Sequence, residues 1–134
     1  MNDYVNIILK EAKKSLKTDD VPVGAIIVEN SKIIAKAHNT REKNKKITGH
    51  AEINAVEKAS KKKKTWHLSN CELYVTLEPC KMCQEVIKQA RIKKVYFLIE
   101  RDKKVNEKKI EMIKIKNVEN CDYIIKKFFK NKRK

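Results

Sequence analysis

Glycine and proline are scarce in this chain, which has 134 residues and two of each. That scarcity excludes collagen-like, elastic and linker-like sequences, which depend on these two residues. Aromatic residues make up only 6% of the chain, and no apolar run approaches the roughly 20 residues of a membrane-spanning helix. The first residues lack the basic flank and apolar stretch of a secretory signal. We therefore expect one cytoplasmic domain, residues 1–134, with no membrane partner and a core of its own.

Acidic residues are few beside the basic ones, since 17 Asp and Glu face 33 Lys and Arg and leave a net charge of +16. Such a surface attracts polyanions, and nucleic acid is the commonest of these inside a cell. Only four of the basic residues are arginines, and this lysine skew is also typical of an A+T-rich genome. The same drift would enrich glutamate, so we interpret the imbalance as favouring contact with nucleic acid.

The apolar pattern predicts strands that alternate with helices. The predicted segments are a helix over 1–17, strands at 21–28 and 33–38, a polar loop at 39–47, a helix over 49–59, a strand at 73–77, a helix opened by Pro79, strands at 95–99 and 112–115, and a helix over 118–130. Alternation of this kind indicates an α/β layer fold, and the early hairpin makes its sheet mixed.

A His-x-Glu and a Pro-Cys-x-x-Cys are the strongest chemical signal in the sequence. Cys80 and Cys83 are three residues apart at the start of a predicted helix, so that both thiolates can face one metal ion. With His50 they make three ligands and leave the fourth tetrahedral position of Zn²⁺ open, which is the arrangement of a catalytic site. Glu52 lies two residues from His50, where it could reach a bound water and transfer protons.

Two alternative interpretations use the same residues. A Cys-x-x-Cys pair is often a redox pair or half of a zinc ribbon. A ribbon needs a second ligand pair at matching spacing, and Cys71 and Cys121 do not supply one. A thioredoxin-like pair stays open, but it does not account for the His-x-Glu.

The joint pattern resembles the zinc-dependent nucleobase deaminases, whose signature combines these two motifs. Nearly the whole chain resembles one branch of that superfamily, the bacterial tRNA-specific adenosine deaminases. The resemblance rests on 21–25 (VPVGA), Asn39, 50–53 (HAEI), 73–83 (LYVTLEPCKMC) and a basic tail with two phenylalanines. It implies a three-layer α-β-α fold, like that of cytidine deaminase, around a central mixed sheet of about five strands.

The resemblance also implies roles and partners. One Zn²⁺ per subunit would be held by His50, Cys80 and Cys83 and would activate water for addition to C6 of adenine, with Glu52 as proton shuttle. The implied reaction is hydrolytic deamination of adenosine to inosine at the wobble position (34) of an arginine tRNA with an ACG anticodon. Asn39 would bind the flipped base of the anticodon stem-loop. A homodimer is implied, and DNA is not expected as a partner. The residues implied in RNA contact are Asp102, Phe128, Phe129, Lys130 and Arg133.

Three departures from the family pattern are visible. The Gly-, Ala- and Ser-rich loop that usually follows Asp102 is missing roughly a dozen residues by comparison with the family, which bears on substrate affinity and dimer contacts. Thr40 stands where the family usually has Arg, and Gly49 where Ala usually precedes the histidine.

Two other functions fit the same motifs. One is deamination of a free base or nucleotide, such as guanine or deoxycytidylate, because the metal site alone does not distinguish these substrates. The other is a non-catalytic zinc-containing RNA-binding subunit. The basic aromatic tail favours RNA over a small substrate, and retention of Glu52 argues against a purely structural zinc site, which needs no proton shuttle.

Overall fold

Five strands and four α-helices make up the part of the chain that the computed structural model describes, residues 2–101 and 110–115. The helices are α1 (Asn2–Ser15), α2 (Arg41–Asn44), α3 (Ala51–Lys63) and α4 (Lys81–Gln89), with a 3-10 turn at Leu16–Thr18. The strands are β1 (Gly24–Glu29), β2 (Lys32–His38), β3 (Cys71–Leu77), β4 (Lys94–Ile99) and β5 (Glu111–Lys114).

The strands form a single mixed sheet in the order β2-β1-β3-β4-β5. β1 runs antiparallel to both β2 and β3, whereas β3, β4 and β5 are parallel to one another. The β1–β2 hairpin turns through Asn30 and Ser31, with φ of 51° and 65°. Two consecutive positive φ angles give the turn whose twist matches that of the flanking strands. α4 supplies the crossover between parallel β3 and β4.

Helices cover both faces of the sheet. Successive residues of a strand point to opposite faces, and β1 shows this in its two clusters. Ala25 and Ile27 pack in the core shared with α3 and α4, while Ile26 and Val28 pack with Val5 and Ile8 of α1. The three-layer α/β fold with a five-stranded mixed sheet is therefore confirmed.

Gly24 sets how closely α1 approaches the sheet. A Cβ at this position would lie 2.0 Å from the backbone oxygen of Ile8 and 2.7 Å from the nitrogen of Ala12. Only a residue without a side chain allows this contact, which holds α1 against the start of β1.

The predicted helix over 49–59 is too short, because α3 continues through the lysines to Lys63. Lysine is a good helix former, and positive charge is favourable at a helix C-terminus. The polar loop predicted at 39–47 contains the short helix α2, whose backbone amides are capped from the distant Asp20.

Pro79 does not occupy the first helical position, since Cys80 is the N-cap of α4 and Pro79 precedes it. The first strand begins at Gly24 rather than at Val21, because Pro22 has no amide hydrogen for a ladder. The weak strand predicted at 112–115 is confirmed as β5. The predicted helix over 118–130 lies outside the described residues. Within those residues, no helix is both long and apolar enough to cross a membrane.

Candidate metal and catalytic site

The N-termini of α3 and α4 bring three metal-ligating side chains together. His50 is the N-cap of α3. Cys80 is the N-cap of α4, and only Glu78 and Pro79 separate it from the end of β3. The Nδ1 atom of His50 lies 3.3 Å from the Sγ of Cys83 and 3.8 Å from the Sγ of Cys80. All three ligand atoms lie within 4.8 Å of one another.

These separations fit a zinc ion. With Zn–S bonds of about 2.3 Å and Zn–N bonds of about 2.0 Å, a tetrahedral site places its ligand atoms roughly 3.6–3.8 Å apart. Two thiolates and one imidazole are also the soft and borderline donors that zinc prefers. The three residues therefore fit a metal with one coordination position left over.

The two thiols differ in their ease of ionisation. Hydrogen bonding from the Cys83 thiol, together with that from His50, lowers the pKa of Cys80 to about 3. The hydrogen bond to Cys80 and burial raise the pKa of Cys83. The hydrogen bond with Cys80 raises the pKa of His50. Two thiolates side by side in a buried site need a cation to be stable together, which a divalent metal provides.

Glu52 is a buried carboxyl beside this group. It is only 3% exposed, and burial raises its pKa. It stands in the first turn of α3, two residues after His50, and lines the same cleft. Its carboxyl is thus placed next to the candidate metal ligands without belonging to their cluster, as proton transfer requires.

A cleft of about 550 Å³ opens over these residues. His50, Glu52 and Asn39 all line it, so the structure brings the predicted base-binding residue to the predicted metal and proton-transfer residues. A cavity of this size is typical of a small-molecule or single-nucleotide site.

Asn39 is held in one orientation at the cleft. Its side-chain oxygen accepts a hydrogen bond from the amide of Arg41 at 3.1 Å, and its backbone oxygen accepts one from the hydroxyl of Ser15 at 2.9 Å. Because the side-chain oxygen is engaged, the amide nitrogen remains as a donor for a ligand. Asn39 is therefore oriented to meet a hydrogen-bond acceptor.

Asp20 is a cleft residue that the sequence analysis missed. It is 1% exposed, and its carboxylate accepts the backbone amides of Glu42 at 2.5 Å and Lys43 at 3.2 Å and the hydroxyl of Thr18 at 2.6 Å. These bonds fix α2 and, through Arg41, the loop that carries Asn39. The only signal in the sequence was an acidic residue directly before an apolar run.

Arg101 also lines the cleft, and the sequence analysis did not predict this. Its Nε donates to the backbone oxygen of Glu78 at 2.5 Å, and its amide donates to the Glu78 carboxylate at 3.1 Å. The buried Glu78 thereby ties the end of β4 to the turn that carries Cys80. The residues predicted to contact RNA, Asp102, Phe128, Phe129, Lys130 and Arg133, lie outside the described residues and stay predictions.

A family model described as MafB19-like deaminase matches residues 1–133 of this sequence. The match covers nearly the whole chain and includes all the residues of the cleft. The chain belongs to this deaminase family.

Relatives of this chain include a tRNA-specific adenosine deaminase from Aquifex aeolicus, 48% identical over 94 residues that cover 70% of this chain and 62% of that protein. A protein of the same description from Bacillus subtilis is 45% identical over 94 residues, covering 70% of this chain and 58% of that protein. The resemblance to tRNA-specific adenosine deaminases is thereby confirmed. The chain spans about three fifths of the length of these relatives.

A solved structure from a study of A-to-I editing by tRNA:A34 deaminases at the wobble position has a TM-score of 0.78 to this chain. It is 27% identical, and the match covers 85% of this chain and 98% of that one. The two chains thus share one fold.

Proposed function

We propose that this deaminase converts adenosine to inosine at the wobble position (34) of tRNA, with an arginine tRNA of ACG anticodon as substrate. The observation that carries the proposal is the cleft, which is lined by His50 of the candidate metal cluster, by the buried carboxyl of Glu52 and by Asn39 with its oriented amide. The similarity to tRNA-specific adenosine deaminases supports the choice of substrate.

His50, Cys80 and Cys83 would hold one zinc ion per subunit. When bound, zinc supplies Lewis acidity that makes water a nucleophile at neutral pH. The cluster leaves room for this chemistry because it offers three ligands rather than the four of a structural site.

Glu52 and Asn39 carry the steps that belong to the protein. Glu52 takes a proton from the water that adds to C6 of adenine and delivers it to N1. It then takes the remaining proton of the new C6 hydroxyl and gives it to the amino group as the C6–N bond breaks, so that inosine and ammonia are released. Asn39 donates its amide hydrogen to an acceptor on the base and so holds the ring against the reacting water. Burial of Glu52 keeps bulk water from competing for the proton.

Deamination of a free base is the second candidate function. A guanine deaminase from Bacillus subtilis has a TM-score of 0.70 to this chain, with 26% identity over 97% of this chain and 93% of that one. The same fold therefore accommodates a free purine. The net charge of +16 favours RNA, since a small uncharged base gains little from it.

The deciding experiment incubates the enzyme with an arginine tRNA transcript carrying an ACG anticodon and determines A-to-G conversion by sequencing. Free adenosine, guanine and deoxycytidylate are assayed in parallel for released ammonia. Conversion confined to the wobble adenosine would support the proposal. Ammonia from guanine or deoxycytidylate without conversion of the transcript would replace it with the second candidate.

Substitution Glu52→Gln tests the proton shuttle. It keeps the shape of the buried side chain, so we expect zinc content and RNA affinity to be retained while turnover falls by roughly 10²–10⁴-fold. Glu85→Gln, at an exposed position of α4, is the matched control and should turn over normally. Appreciable activity in Glu52→Gln would remove the assigned role.

We further propose that the protein is a cytoplasmic homodimer acting as one deaminase domain over residues 1–134. Family resemblance supports the dimer. Light scattering coupled to size exclusion would give the subunit count, and a monomer at assay concentration with full activity would contradict it.

A further inference from the structure

A second groove, of about 430 Å³, lies beside the catalytic cleft. α2 separates the two, since Arg41 and Glu42 line the cleft while Lys43 and Asn44 line the groove. The opposite wall is one face of α3, formed by residues at helical spacing, Asn54, Glu57, Lys58 and Lys61. The groove therefore runs along α3, on the other side of α2 from the cleft.

Two side chains of the α3 wall of the groove are already hydrogen-bonded to neighbouring segments. Asn54 donates its amide to the backbone oxygen of His38 at 3.0 Å and to the hydroxyl of Thr40 at 2.9 Å. Lys58 donates to the backbone oxygen of Lys36 at 2.9 Å, on edge strand β2. These contacts give the groove a fixed shape.

The walls carry positive charge that the described protein does not neutralise. Lys43, Lys46 and Lys61 are exposed, and none forms an ion pair within the described part of the chain. Glu57 is the one carboxylate among the described residues that line the groove. Elsewhere on α3, Lys63 is paired with Glu29.

We propose that this basic groove binds the phosphodiester backbone of the RNA strand that leads away from the nucleotide in the cleft. The proposal rests on the proposed function, because it takes RNA as the substrate. Lys43 and Lys46 line the groove on and just after α2, and Lys61 lines it from α3, so a strand that lies in the groove would pass between cations on both sides.

The test measures binding of an RNA hairpin with ACG in its loop to two triple variants over a range of salt concentrations. The groove variant is Lys43→Ala, Lys46→Ala, Lys61→Ala, and Lys58 is kept because it bonds to β2. The control is Lys10→Ala, Lys13→Ala, Lys17→Ala, which removes the same charge from exposed positions on and just after α1, across the sheet from α3. Both carry Glu52→Gln so that the RNA is not consumed, and equal Tm values establish that both are folded.

We expect the affinity of the groove variant for the hairpin to fall roughly 10- to 50-fold near physiological salt. The slope of log K against log salt should fall by about 2, or ~0.7 for each phosphate that a lysine no longer neutralises. The affinity of the control should fall less than a few-fold, with its slope unchanged. Equal reductions in both variants would mean diffuse charge and overturn the proposal. An unchanged groove variant would also overturn it, as expected if an acidic protein occupies the groove.

Failure of the groove and failure of the proposed function give different results. Conversion of the wobble adenosine by the unmodified enzyme, with unaltered RNA binding by the groove variant, would reject the groove alone. Selective loss of RNA binding without conversion by the unmodified enzyme would reject the proposed reaction and keep the groove as an RNA site.

Discussion

Asp20 illustrates how a single buried carboxylate positions a residue that it does not touch. Its two oxygens bond the first amides of α2, and the amide of Arg41 in turn orients the side chain of Asn39. Charge-assisted bonds to backbone amides at a helix start are among the stronger hydrogen bonds in proteins. The loop of Asn39 is therefore held from a residue nineteen positions earlier in the sequence.

Replacing Asp20 tests this arrangement. We expect Asp20→Ala to lower the free energy of unfolding by about 1–3 kcal/mol, because the amides it capped lose a buried partner. The same change should raise KM for RNA more than it lowers kcat, since Asn39 loses its orientation while Glu52 is untouched. Glu85→Ala is the control, because Glu85 is not among the residues that line the cleft and its surface ion pair with Lys88 is worth little. Urea denaturation and steady-state kinetics give both quantities, and equal effects of the two variants would contradict the prediction.

Gly49 precedes the candidate ligand His50, and it is in contact with the loop that carries Asn39. A Cβ here would lie 2.8 Å from both the Cα and the nitrogen of Arg41. We expect Gly49→Ala to displace α2 and to cost roughly 1–3 kcal/mol, the usual range for forced overpacking. The measurement is the unfolding midpoint in urea with and without zinc. A neutral or stabilising effect would show that the loop shifts freely.

At the scale of elements, α1 and β2 are joined by a contact that depends on pH. The Glu11 carboxylate lies 3.6 Å from Nδ1 of His38 and 2.6 Å from Nζ of Lys14. Burial raises the pKa of Glu11, but its bonds to Lys14 and His38 outweigh this and leave its pKa lowered. Burial, reinforced by the charges of Lys14 and Lys43, lowers the pKa of His38 despite the nearby carboxylate.

Both shifts predict loss of stability in acid. The folded state favours neutral His38, so its contribution is present above the ordinary pKa of about 6.5 and is lost as pH falls toward the lowered value. Glu11 adds a second loss below its ordinary pKa of about 4.5 in the same direction. We expect the stability advantage of the unmodified protein over His38→Gln to shrink between pH 7 and pH 5. Urea titrations at matched pH measure this difference, and an advantage that grows in acid would refute it.

The elements and the metal cluster were predictable because their signals are local. The apolar run of β3 predicts that strand, and the Cys-x-x-Cys that follows it predicts the start of α4 and two of the metal ligands. Neither prediction needs information from distant residues. α2 and Asp20 were not predictable in this way, because a four-residue helix has little propensity of its own and depends on a cap from another segment. The groove was missed for the same reason, since its lysines lie on α2, just after α2 and on α3, which only the fold brings together.

At the scale of the whole molecule, the candidate metal ligands come from two helices on one face of the sheet. His50 begins α3, and Cys80 and Cys83 begin α4, so that one ion would cross-link elements that start thirty residues apart. A ligand that binds only the folded state stabilises it by RT ln(1 + [L]/Kd), which is about 4 kcal/mol at a thousandfold excess over Kd. The metal is thus expected to matter for folding as well as for catalysis.

Removal of the metal should therefore lower both Tm and activity, and zinc at one equivalent per chain should restore them. Cys83→Ala should remove the response to zinc, since its buried thiolate has no substitute among the described residues. Cys71→Ala is the control, because Cys71 is a buried thiol on β3 outside the cluster, and it should keep the full response despite a small packing loss. Calorimetry with and without a chelator, together with metal analysis, makes the comparison. If the chelator abolished activity but left Tm unchanged, the ion would be catalytic without joining α3 to α4, and the stabilising role argued here would be wrong.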